Sequence, residues 1–127
     1  MRASLFVSNT GSLDEQIQRA LPNVKVVKTL NTVNANVMVY PQNVANGDHY
    51  VLLSGNDAQA KAQVVDILKS LGWIHTLDLG DLTTARATEM YIAIWLRMWG
   101  ALGSHVQCQA HEIRMVKDGT QNNIGAK

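Results

Sequence analysis

From Ser12 onward the chain switches between stretches whose apolar residues recur every three or four positions and stretches where they run together. Leu13, Ile17, Ala20 and Leu21 share one helical face, with Asp14, Gln18 and Arg19 off it. Ser12 followed three residues on by Glu15 has the spacing of a capping box, and Pro22-Asn23 stops the helix. A helix this short depends on packing more than on intrinsic propensity. Val24 to Leu30 (VKVVKTL) is β-branched and partly alternating, which predicts a strand. Residues 31–40 are ambiguous: a short helical turn over Ala35–Val39 would suit Val37 and Met38, with Pro41 ending it. Gln42 to Asp48 is a polar loop. Tyr50 to Ser54 (YVLLS) is apolar without alternation, the pattern of a strand buried on both faces.

Gly55-Asn56-Asp57 then turns the chain into a second helix, where Asn56 or Asp57 can accept from the free amides of its first turn. Ala60, Val64, Ile67, Leu68 and Leu71 form its apolar stripe. Gly72 suits the left-handed residue that ends a helix, with Trp73 as the hydrophobic contact after it. Ile74 to Leu79 predicts a third strand. A longer helix, capped by Asp81 or Thr83, is expected from about Leu82 to Leu102, and its second half from Met90 is apolar almost all round, with Arg97 the only charge. That run is too short to span a bilayer, which takes roughly twenty residues, so protein must cover it on several sides. After Gly103 the chain turns polar, and residues 118–127 read as a loose tail following a single domain over 1–117. The order of elements predicts an α/β fold, a small open sheet of three or four strands packed with helices.

Composition narrows the functions. At 127 residues, 46% apolar and 17% charged, the chain suits one globular domain with a real core. A net charge of +1 with scattered ionic residues leaves no footprint for nucleic acid or an anionic membrane. One cysteine, Cys108, cannot form an internal disulfide, and the N-terminal apolar run is too short for a signal peptide, so a cytoplasmic location is expected.

The chemistry is sparse. The nine glycines include no G-x-G-x-x-G and no Walker motif, and at the Gly55-Asn56-Asp57 turn Asp57 would repel a phosphate. His105, Cys108 and His111 carry ligand-type side chains three apart, but a structural zinc takes four ligands and no fourth stands out, so no metal site is assigned. His75 has no serine or cysteine nucleophile beside it in sequence and reads as a strand-face residue. Arg86 and Glu89, three apart, read as an ion pair on one helix face. The position most suited to a ligand is Asn31-Thr32, directly after the first strand, since open α/β sheets bind ligands beyond the carboxyl ends of their strands.

Three segments taken together, SNTGSLDEQIQRALPNVKVVKTLNTVNANVM, SGNDAQAKAQVVDILKSLGW and LDLGDLTTARATEMYIAIWLRMWGALG, resemble the C-terminal half of the deazaflavin-coenzyme-dependent NADP reductases. The resemblance covers roughly Leu5 to Gly103. It implies the C-terminal part of a Rossmann-like oxidoreductase without the N-terminal half that carries the glycine-rich phosphate loop. It also implies that Asn31 and Thr32 are cofactor-cleft residues and assigns no catalytic residue. No cofactor is expected to be held by this chain alone, NADP being that of the family, because hydride transfer needs the nicotinamide bound and oriented. The leading expectation is a truncated relative without oxidoreductase activity alone, forming a homodimer through Met90, Ile94, Trp95, Met98 and Trp99. Alternatives are one half of a split reductase completed by a separate Rossmann chain, and a small-ligand binding module.

Overall fold

The computed structural model describes residues 4–102. His105, Cys108 and His111, and the tail at 118–127, lie outside the described residues.

The first helix, α1 (Leu13–Ala20), starts as the sequence predicts: the Ser12 hydroxyl accepts from the Glu15 amide at 3.2 Å and donates to the Glu15 carboxylate at 2.8 Å. Its orientation is not the expected one. Leu13, Ile17 and Leu21 are 54%, 39% and 51% exposed, whereas Ser12 and Asp14 are buried. The polar face is turned inward because charged partners on two other elements hold it there. A single side chain closes the exit from α1. Gln18 donates to the carbonyls of Leu21 and Val24 and accepts from the Val26 amide.

β1 (Val27–Thr29) is the short survivor of the predicted strand, and α2 (Ala35–Val39) is the helical turn suggested for the ambiguous stretch, capped by Asn34 on the Val37 amide. Two 3-10 turns, Pro41–Asn43 and Ala45–Gly47, lead to β2 (Tyr50–Gly55). α3 (Ala58–Ser70) connects β2 to β3 (His75–Asp78). A 3-10 turn, Leu82–Thr84, capped by Asp81, then opens into α4 (Ala85–Leu102). The sheet has the order β1-β2-β3, with β1 antiparallel to β2 (Lys28 opposite Ser54) and β3 parallel to it (Leu52 opposite Leu77).

β2 is the central strand, which accounts for its unbroken apolar run: Val51, Leu53 and Ser54 are buried, and Leu52 is half-buried on the second face. Val51 meets Val37, Leu68 and Trp73 in the core. α3 ends in a Schellman motif. Gly72, at φ +99°, donates to the Lys69 carbonyl and Trp73 donates to the Leu68 carbonyl, which draws the indole into the core. The stripe of α3 is narrower than the sequence suggests, since Ile67 is 59% exposed while Leu68 is 1% exposed.

The far half of α4 lacks the expected cover among the described residues. None of Tyr91 to Ala101 is buried, and Ile92 and Ile94 are 45% and 55% exposed. Of the five residues expected at a dimer contact, only Ile94 is exposed. Met90, Trp95, Met98 and Trp99 are half-buried, and the two indoles pack on each other 5.2 Å apart.

Candidate functional site

β1 runs out into Leu30, which sits in the left-handed region at φ +61°. A non-glycine residue is held there only when its surroundings enforce it, at a cost on the order of 1–3 kcal/mol. The turn sends Asn31 to Asn34 beneath α4. The Asn31 side chain donates to the Thr88 carbonyl, fastening the strand end to the helix, and Thr32 is buried beside it. One turn further along α4, Tyr91 and Trp95 complete a pocket of about 150 Å³ that also includes Val33, Asn34 and Ile92. Burial raises the Tyr91 phenol above its ordinary pKa. Asn31 and Thr32, chosen from sequence by their place after a strand, are thus brought together with an aromatic wall that sequence reasoning did not connect to them. The signal was available in part, since Tyr91 and Trp95 are four apart and share a helix face.

Among the described residues, no lysine, arginine or carboxylate lines the pocket. Its volume falls below the ~300–1,000 Å³ of sites that enclose a complete small ligand. The donor set therefore suits an uncharged ring and does not suit a dinucleotide's pyrophosphate.

A charged network lies one helical turn away. Glu89 accepts from the free amides of Leu13 and Asp14 at 2.9 and 3.3 Å, closing the N-terminus of α1 from outside. Lys28 from β1 bridges Asp14 at 2.9 Å and Glu89 at 3.4 Å. Arg86 grips Glu15 with two nitrogens, at 2.8 and 2.6 Å. The expected Arg86–Glu89 pair is therefore not formed. Each side chain has a better partner on α1, where an oriented carboxylate and unpaired amides outbid a neighbour on the same helix. Burial holds Glu89 above the usual carboxylate range, with Asp14 adding to the effect. Asp14 feels burial too, but hydrogen bonds with Glu89 and Lys28 outweigh it and bring its pKa down. Glu15, gripped by Arg86, is lowered to about 2.

The remaining candidates have structural partners. Asp57 caps α3 by accepting from the Ala60 amide at 2.8 Å and faces Lys25 at 3.6 Å, and Asn56 accepts from the Leu82 amide. A carboxylate thus already occupies the anion-binding position at the Gly55 turn. His75 stacks on Tyr50 and meets Asp48 at 3.1 Å. His49, not singled out from sequence, is buried with its ring at 2.8 Å from the Pro41 carbonyl and edge-on to Trp73. Among the described residues no three His, Cys, Asp or Glu side chains group to hold a metal, and no helix is long and apolar enough to cross a membrane.

Comparison with known proteins places this geometry. No family model matches the chain. It is 32% identical over 79 residues to an F420-dependent NADP reductase of Methanocaldococcus jannaschii, a match covering 62% of this chain and 34% of that protein. A crystal structure from Arthrobacter sp. FB24, at 1.70 Å resolution and provisionally named an F420-dependent NADP reductase, superposes with a TM-score of 0.77 at 59% identity, over 81% of this chain and 46% of the other. The homologues of this chain are F420-dependent NADP reductases. The chain spans about a third of the curated reductase and just under half of the solved one, an extent that fits the C-terminal half of the family. The described residues form a mixed α/β architecture around a three-stranded open sheet, which superposes on part of the solved reductase.

Proposed function

We propose that this chain supplies one wall of the reaction cleft of an F420-dependent NADP reductase and does not transfer hydride by itself. The observation that carries the reading is the pocket at the end of β1, where Asn31, Thr32, Tyr91 and Trp95 border about 150 Å³ and no charged group lines it among the described residues. Such a pocket accommodates one ring edge and leaves the phosphates to be held elsewhere, and this sequence has no glycine-rich loop to hold them. NADP, when bound, supplies the hydride-carrying ring. The chain's own part is to position that ring against Thr32 and Trp95, which line the pocket, with Asn31 fixing the strand end to α4. Positioning of this kind is what a protein contributes to cofactor chemistry. A cytoplasmic setting belongs to the same reading, supported by the lone Cys108.

The test is to measure, with the purified chain, oxidation of NADPH by coenzyme F420 and binding of reduced nicotinamide mononucleotide by NMR. The expected result is no turnover together with weak mononucleotide binding that Trp95→Ala removes. Turnover by the chain alone, or binding indifferent to Trp95→Ala, refutes the reading.

A second reading is self-association through α4, supported by the exposed Ile92 and Ile94 on a helix with no buried residue from Tyr91 to Ala101. Light scattering decides it: a dimer that Ile94→Glu dissociates supports the contact, and a monomer excludes it.

A further inference from the structure

Asn46 is the only asparagine in the chain that a glycine follows. It lies with Gly47 in the 3-10 turn Ala45–Gly47, on the loop that leads into β2. The backbone there is left-handed at three residues in a row, with Ala45 at φ +46°, Asn46 at +53° and Gly47 at +85°. Glycine and asparagine enter this region more readily than other residues. Space also fixes Gly47, since a Cβ there would meet the Ile74 side chain at 3.3 Å. The fold thus favours an asparagine–glycine pair at this point for its conformation.

The same pair is chemically labile. The Gly47 nitrogen, with no Cβ beside it, can attack the side-chain carbonyl carbon of Asn46. A bond forms between that nitrogen and Cγ, the Cγ–Nδ2 bond breaks, and ammonia leaves with the proton lost by the Gly47 nitrogen. Water then opens the succinimide ring at either carbonyl, leaving aspartate or isoaspartate. Asn46 is exposed, so water reaches it. The closed turn opposes the first step. The Gly47 amide donates to the Val44 carbonyl at 2.8 Å and the Asp48 amide to the Ala45 carbonyl at 3.0 Å. The attacking nitrogen must leave that bond before the ring can form. Buried His49 ties the end of the loop back to the Pro41 carbonyl at 2.8 Å. Against these ties stands the left-handed alanine, whose strain opening releases.

We propose that Asn46 is a site of spontaneous deamidation whose rate is set by opening of the Ala45–Gly47 turn. The isoaspartyl product has one more backbone methylene and so no longer matches the Val44–Gly47 hydrogen bond. It also places a new carboxylate two residues from Asp48, which pairs with His75 at 3.1 Å.

The experiment incubates the purified chain at neutral pH, native and in urea. Each asparagine is followed by peptide mass mapping, and isoaspartate is labelled with a protein isoaspartyl methyltransferase. In urea, Asn46 is expected to outpace every other asparagine. In the native chain it still deamidates, about 10-fold more slowly, because only the open fraction reacts. His49→Phe keeps a ring beside Trp73 and loses the bond to the Pro41 carbonyl. It is expected to speed the native reaction by about 5-fold and to leave the rate in urea unchanged. Equal rates in native and urea-treated chain, or no product at Asn46 in the native chain, overturn the proposal. So does a folded His49→Phe variant that reacts at the wild-type rate. If His49→Phe does not fold, the ratio of the wild-type rates decides alone.

Discussion

α1 and α3 start alike and end differently. Each is opened by a side chain that accepts from the amide three residues on, Ser12 at Glu15 and Asp57 at Ala60. Each has apolar residues four apart along one side. α3 turns that side inward and closes with a Schellman motif that seats Trp73 in the core. α1 turns its apolar side out and buries Ser12 and Asp14. Both strands of the α3 crossover lie side by side, whereas among the described residues α1 has only the strand that follows it. A 3.6-residue period thus marks a helix, but the face it buries depends on whether the surrounding sheet is present to receive it.

The largest effect expected from breaking this contrast is on the α3 side. Trp73→Ala removes the indole from the core and its hydrogen bond to the Met38 carbonyl, and is expected to cost about 4 kcal/mol in urea unfolding. On the α1 side, Lys28→Met leaves the Asp14 and Glu89 carboxylates adjacent without their shared cation, and is expected to cost about 2 kcal/mol at pH 7. That deficit should shrink as the pH is lowered and Glu89, whose pKa is already raised by burial, takes up a proton. A deficit that does not change with pH would show that Lys28 acts through packing alone.

Glu15 gives a smaller, separable signal. Its pKa falls from 4.5 in the unfolded chain to about 2 in the fold, first because of the Arg86 hydrogen bonds. A depressed acid contributes stability that is present above pH 4.5 and disappears as the pH falls toward 2. Acid unfolding of Glu15→Gln should therefore be flatter than wild type across that window, and parallel curves would count against the Arg86 grip. The smallest change expected is at Ile17→Lys on the exposed stripe, less than about 0.5 kcal/mol. A larger loss would mean that the stripe has cover in the isolated chain.

Most of the elements could be read from the pattern of residues. The YVLLS run placed the central strand, Gly72-Trp73 the end of α3, and Ser12 with Glu15 the start of α1, because each depends on neighbours in sequence. What depends on distant partners could not be read this way. Arg86 and Glu89 look like a pair at helical spacing, but each bonds to α1, more than seventy residues earlier. The site was half legible: a strand end marked Asn31-Thr32, while the aromatic wall comes from α4, sixty residues on, and only the fold brings Tyr91 and Trp95 to it.

Thr88 and Glu89 are consecutive. The carbonyl of the first holds the strand end beneath the pocket, and the carboxylate of the second holds the N-terminus of α1. One turn of helix is therefore a common anchor for both surfaces. The strand end below the pocket and the start of the first helix are therefore fixed to the same two consecutive residues of α4.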